Sequence, residues 1–197
     1  MITIPLIRRD LTSDLVGRHI YLFGADSAPT EILQRLAETG ERQGTVVLAA
    51  AEGTKLSIAV LFRPGLTHSA IPLFSVISTL ALVEAIAGLD LDTSPVWPDQ
   101  VAIGDEAVGR GLVVTAPAFD RTSYVILGAE LDVQALEARL ARPVDWNVVV
   151  AAFLNALDTW ATAYAEHGPA AVRAAVQFLP RGSRPASRDR ESVLPQT

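Results

Sequence analysis

Residues 94–114 read SPVWPDQVAIGDEAVGRGLVV, two β-rich runs on either side of the turn pair Gly104-Asp105, and this stretch decides the fold. A hairpin at this point, after a long apolar segment and before another strand, commits the middle of the chain to an antiparallel sheet. It also gathers an aromatic, acids and one arginine into a short span, so it is either a site or only a hairpin.

Upstream, Ser69 to Leu89 is a nearly unbroken apolar run whose only charge is Glu84. Its length approaches the roughly 20 residues of a bilayer span. Pro72, Ser75, Ser78, Thr79 and Glu84 dilute it and strand patterns flank it, so a helix packed across a sheet is expected, with no membrane as partner. Gly44 to Ala50 and Leu56 to Phe62 are β-rich runs joined by the turn Glu52-Gly-Thr-Lys55. Before them, Arg18 to Phe23 reads as a short strand. Thr30 to Thr39 then sets Ile32, Leu33 and Leu36 on one helical face. Asp26, Ser27 and Thr30 offer caps, Pro29 suits a first turn, and Gly40 ends the helix.

Downstream, Ser123 to Leu131 is a strand and Val133 to Leu140 a short helix. From Asp145, a natural N-cap, to His167, the residues Trp146, Val150, Phe153, Leu157, Trp160 and Tyr164 recur in steps of four and three. That spacing lines one buried helix face. Gly168-Pro169 stops this helix, and Ala170 to Phe178 adds one more. Residues 180–197 hold four arginines, three prolines and three serines, a composition expected of a disordered tail. The folded domain is therefore expected over residues 1–179. Strand, helix, several strands with an inserted helix, then terminal helices make an α+β fold: a mixed, largely antiparallel sheet with helices packed mainly on one face.

Composition narrows the chemistry. The chain has 197 residues and no cysteine, which removes disulfides, zinc thiolates, iron–sulfur clusters and thiol nucleophiles together. Sixteen basic residues against 22 acidic ones argue against nucleic acid as the main partner. Lys55 is the single lysine, so a mechanism that needs one has one candidate. No signal-peptide pattern opens the sequence, and a cytoplasmic location is the expectation. His19, His68 and His167 are scattered without ligand spacing, and no nucleophile elbow, P-loop or histidine metal motif occurs, so no metal site is expected.

Several local strings, in order, resemble the catalytic domain shared by biotin and lipoate protein ligases, from about Gly17 to about Phe178. Ser27 stands where that family has the serine of its Ser-Thr-Asn string, and Gly44-Thr-Val-Val47 is similar to its next strand. Arg63-Pro64 matches an Arg-Pro that closes a later strand. The family's Lys-Trp-Pro-Asn-Asp block appears as Val96-Trp97-Pro98-Asp99-Gln100. Tyr124-Val-Ile-Leu-Gly128 is similar to its final strand, and Asn147 to Val172 to its closing helices.

The departures fall on the cations. The family's Gly-Arg-Gly-Arg-x-x-Gly-Arg loop is missing where Glu52-Gly-Thr-Lys55 joins two strands. Val96 and Ala107 replace family lysines, and Glu130 and Asp132 stand for the second Gly and the Asn of its Gly-x-Gly-x-Asn. A divergent branch with Trp-Pro-Asp followed by Val-Gly-x-Gly is closer to Trp97-Pro98-Asp99 and Val108-Gly109-Arg110-Gly111. Activating a carboxylic acid with ATP crowds anionic groups around phosphorus, and the enzyme must supply cationic donors there.

The resemblance thus implies a degenerate ligase-like domain, a pseudoenzyme that binds a small carboxylic acid or its adenylate with weak or no ligase activity. The candidate catalytic cations are Arg110 and Lys55. The candidate ligand-binding residues are Ser27 and Trp97 by motif and Asp99 and Asp132 by position. Two alternatives stand beside it: an active ATP-dependent ligase for biotin or another acid, using Arg110, Lys55, ATP and magnesium, or a non-catalytic dimerisation or interaction module. Homodimer formation is compatible with all three. For the acids in the turn, solvation is as good a role as catalysis, and the competing role for Trp97-Pro98 is to fix a strand end and fill core volume.

Overall fold

The strand runs pair through their backbones and bury their alternate side chains on opposite sides, and the helices settle on the two apolar faces that result. A computed structural model describes residues 1–24, 26–50, 54–64, 70–118 and 121–178. Within them the order is α1 (Ile4–Asp10), β1 (Ile20–Gly24), α2 (Pro29–Glu38), β2 (Val46–Ala50), β3 (Lys55–Phe62) and α3 (Ile71–Ala87). Then follow β4 (Ser94–Val96), β5 (Gln100–Ile103), β6 (Glu106–Ala118), β7 (Arg121–Asp132), α4 (Val133–Leu140), α5 (Trp146–His167) and α6 (Pro169–Phe178). Residues 51–53 of the expected turn, His68 and the 180–197 segment lie outside the described residues.

The seven strands form one sheet in the order β1-β2-β3-β7-β6-β5-β4. Only β1 and β2 run parallel; every other pair is antiparallel. The stretch 94–114 is three strands rather than two, because Ser94–Val96 folds back on β5 as the sheet edge. On one face Val46, Leu48, Ile58, Val60, Val125, Leu127 and Leu131 pack with α3 and α5 into the main core. On the other face Val47, Ala59, Leu61, Tyr124 and Ile126 pack under Leu33 and Ala37 of α2. Burying one such large apolar side chain stabilises the fold by about 1.5–3 kcal/mol. Most helices share one face, and among the described residues α2 alone covers part of the other.

Helix α3 is apolar all round because it is covered on two sides, by the sheet and by α5. It lies close on β6 where Gly109 and Gly111 offer no side chain. A methyl on Gly111 would come 2.9 Å from Thr79 Oγ1, and one on Gly109 would come 3.2 Å from Leu82 Cδ2. Thr79 Oγ1 also lies 3.0 Å from the Pro98 carbonyl, and the Ser78 hydroxyl donates to the Gly128 carbonyl. The polar residues that dilute the apolar run thus tie the helix to the sheet. Helix α5 meets the length and composition of a membrane span. Its Val149, Val150, Phe153, Leu154 and Leu157 are instead buried in the core.

One capping detail differs from expectation and another agrees with it. Helix α2 starts from Ala28 with no side-chain cap, so Asp26, Ser27 and Thr30 do not serve there. Asp145 does cap α5, accepting the Asn147 N–H at 3.0 Å. Helix α1, absent from the sequence reading, is short and uncapped and is held by α5. Asn147 accepts the Thr3 N–H at 2.8 Å, and Asn155 accepts the Thr12 N–H at 2.9 Å.

Candidate functional site

The covered face of the sheet becomes polar where α2 ends. Stepping two residues at a time along each strand leads from Ala59 to Ser57 and Lys55, from Ile126 to Glu130 and Asp132, and from Val114 to Arg110. In the sequence Gly109-Arg110-Gly111 the two glycines meet α3 on one side, and the arginine between them projects from the other. The string is therefore a packing contact and a site residue together.

Register sets the partners. Arg110 faces Glu130 across β6 and β7, Gln100 faces Arg110 across β5 and β6, and Lys55 faces Asp132 across β3 and β7. Both Nε and a terminal nitrogen of Arg110 lie 2.8 Å from the same oxygen, Oε2 of Glu130. The two side chains are 54% and 27% exposed, so the pair contributes little to stability, about 0–1 kcal/mol. Asp132 caps α4, its Oδ1 accepting the Ala135 N–H at 2.9 Å. One residue more stands on β6 than on β5 between the pairs Val101↔Gly109 and Ala102↔Ala107. This bulge turns Val108 into the core and leaves Ala107 exposed. Lys55, Gln100, Arg110, Glu130 and Asp132 surround a shallow cavity of about 190 Å³ over the Ala107–Gly109 backbone.

Of the six residues singled out from sequence, three meet here: Arg110, Lys55 and Asp132. The other three lie elsewhere. Trp97, joined to Pro98 by a cis peptide, packs against the main core. Asp99 is partly buried and gives its backbone carbonyl to the Gly111 N–H at 2.6 Å. Ser27 sits in the turn between β1 and α2, its N–H bonded to the Gly24 carbonyl at 3.2 Å. Gln100 was missed altogether, and Glu130 was noticed only as a departure. Their signal was positional, since they stand opposite Arg110 only once the strands are paired.

Charge decides what the cavity can do. Two cations are matched by two carboxylates, so its lining is neutral, and the guanidinium is already bonded. That donor set does not fit a triphosphate, which needs several uncommitted cations or a bridging metal. Among the described residues no group of three or more His, Asp or Glu side chains is placed to hold a metal ion. Elsewhere, Arg63 donates to the carbonyls of Ala37 at 2.7 Å and Glu41 at 3.0 Å, closing the C-terminal end of α2. The Arg63-Pro64 string thus has a structural task.

A mixed seven-stranded sheet of this order, with α2 on one face and the other helices packed mainly on the opposite one, defines an α+β domain class. The comparisons identify the fold. No family model matches the chain. The bifunctional ligase/repressor BirA of Bacillus spizizenii is 23% identical over 145 residues, covering 64% of this chain and 44% of that protein. The chain thus spans less than half the length of this curated relative. A biotin protein ligase-like protein of unknown function from Silicibacter superimposes with a TM-score of 0.74 at 15% identity, over 85% of this chain and 79% of the other. Biotin protein ligase from Aquifex aeolicus does so with a TM-score of 0.60 at 18% identity, over 76% and 71%. The Aquifex enzyme has been solved in complex with biotin and ATP. The chain has the catalytic-domain fold of the biotin protein ligases, in a divergent sequence.

Proposed function

We propose that this ligase-like domain binds a small carboxylic acid or its acyl-adenylate in the cavity above β6 and β7, with weak or no ligase activity. The observation that carries the reading is the Arg110–Glu130 ion pair, closed at 2.8 Å on the floor of the cavity. A carboxylate can still reach Arg110 and Lys55, which are the cations of the lining. Attack of the carboxylate on the α-phosphorus of ATP, with pyrophosphate leaving, asks for more, because negative charge grows around phosphorus and the enzyme must already hold donors there. Removing one preorganised donor costs about 2.7–4 kcal/mol, or 100- to 1,000-fold in rate. By the family resemblance, lysines are replaced at Val96 and Ala107, and Glu130 adds a carboxylate beside the remaining cation. Such losses compound, and they leave binding more readily than catalysis.

The test is a thermal-shift screen with biotin, lipoate, octanoate, their acyl-adenylates and ATP with magnesium, run on the native chain and on Arg110→Ala. A ligand at 100 times its dissociation constant stabilises the fold by about 2.7 kcal/mol. The expected pattern is a shift with an acid or adenylate that Arg110→Ala abolishes, and none with ATP and magnesium alone. A shift that survives Arg110→Ala unchanged would remove the cavity from consideration. Turnover of ATP dependent on one of the acids would instead make the domain an active ligase.

A further inference from the structure

At the end of the sheet away from the cavity over β6 and β7, a second cleft opens where β1 and β2 begin and β3 ends. Its volume is about 440 Å³, and it shares no lining residue with the first. Lys55 starts β3 and Arg63 follows its last residue, so the two sites stand about 26 Å apart along one strand. Three arginines line the cleft from three parts of the chain: Arg18 before β1, Arg42 between α2 and β2, and Arg63 after β3. Glu41 is the one acidic residue among the described lining. With His19 neutral, three positive charges thus face one negative, in a chain whose net charge is −6. A cleft of this volume is about 9 Å across, inside a Debye length of about 10 Å, so the three fields reinforce one another.

Little of this charge is spent inside the protein. Glu41 is fixed in the wall: its Oε1 accepts the Arg42 N–H at 3.1 Å and the Thr45 hydroxyl at 3.1 Å, and lies 3.2 Å from His19 Nδ1. Arg63 donates to the last carbonyls of α2 and so covers the negative end of that helix, which would otherwise repel an anion. Arg18 donates through Nε to the Asp14 carbonyl, which leaves its terminal nitrogens over. The Arg42 guanidinium makes no hydrogen bond among the described residues and is exposed. Arg8 donates to the Arg18 carbonyl at 3.1 Å and adds a further cation beside the cleft. We infer that this cleft binds a phosphoryl group, as inorganic phosphate or as the head of a small phosphate monoester. A carboxylate offers two oxygens in one plane and is satisfied by one guanidinium, whereas a phosphoryl group offers three oxygens and up to two charges. Guanidiniums arriving from three elements suit the second acceptor. ATP with magnesium suits it less, because the ion bridges the phosphate oxygens and neutralises their charge.

The test is calorimetric titration with inorganic phosphate and with glycerol 3-phosphate at constant ionic strength, together with amide NMR shifts. Both probes should move the amide resonances of Gly40 and Gln43, which line the cleft. Arg42→Gln and Arg18→Gln replace exposed side chains, so each should keep the fold and weaken binding about tenfold or more, the worth of one charge-assisted hydrogen bond. Arg110→Ala, at the other end of the sheet, should bind phosphate as the native chain does. Either probe binding in this pattern sustains the site, and the tighter of the two tells whether free phosphate or an ester is its form. No binding of either probe at about 10 mM, beyond the millimolar class of affinity, overturns the proposal. So does binding that both Arg42→Gln and Arg18→Gln leave unchanged, that Arg110→Ala abolishes, or that leaves the Gly40 and Gln43 amides unmoved. If one arginine variant loses its native circular dichroism, the other variant and the amide shifts of the native chain decide.

Discussion

Glu130→Gln is the substitution that most directly probes the cavity. It keeps the shape of the side chain and removes the carboxylate that holds Arg110 at 2.8 Å. A ligand carboxylate bonded to the same guanidinium would lie roughly 5 Å from the Glu130 carboxylate, by hydrogen-bond lengths on two sides of one group. At that distance two like charges repel by about 0.8 kcal/mol in a dielectric of 80 and about 1.7 kcal/mol in one of 40. Removing the repulsion should tighten acid binding by about 4- to 18-fold, and the gain should shrink as salt rises. Stability should change by under about 1 kcal/mol, because the pair is largely solvated, which for a chain of this size is a melting shift within about 4 °C. Calorimetric titration of octanoate into the native chain and Glu130→Gln, at low and high salt, measures the effect. Unchanged or weaker binding in Glu130→Gln, with the fold intact, would refute the electrostatic reasoning.

Two further outcomes concern the fold itself. Gly111→Ala sets a methyl 2.9 Å from Thr79 Oγ1 and 3.0 Å from the Thr79 backbone nitrogen, forcing α3 away from β6. Overpacking of this kind costs about 1–3 kcal/mol, and urea denaturation should show that loss without a large change in slope. Burial pushes the Glu84 carboxyl up, partly offset by the hydrogen bond from Trp160 Nε1 at 2.9 Å. The folded chain then holds that proton more tightly than the unfolded one, so the group's contribution to stability is greatest at acid pH and declines as pH rises through its titration. Glu84→Gln keeps an acceptor for Trp160, and melting curves should find it stabilised relative to the native chain at pH 7 and not at acid pH.

Alternation and spacing were enough to read most elements, because period 2 and period 3.6 are printed directly in the residues that face the core. The strand of residues 56–62 and the α5 face from Trp146 to Tyr164 are of this kind. Helix α1 was not legible, since its seven residues carry no cap and its ends are fixed by Asn147 and Asn155, more than 140 positions away in the chain. The edge strand β4 was hidden for a similar reason: three residues show no periodicity.

By itself, the sequence determined the ligase-like order of elements, the absence of thiol chemistry and the scarcity of lysine, because these depend on residue type and local pattern alone. It also singled out Arg110, as the one cation close to the place where the resemblance puts a lysine. Only the tertiary structure decided what Arg110 does. Which face it occupies follows from the close approach of α3 to Gly109 and Gly111, and its partner Glu130 follows from the register of β6 on β7. Tertiary packing likewise set Trp97, Asp99 and Ser27 apart from the cavity. Charges 20 residues apart become one site only when backbone pairing brings their strands side by side.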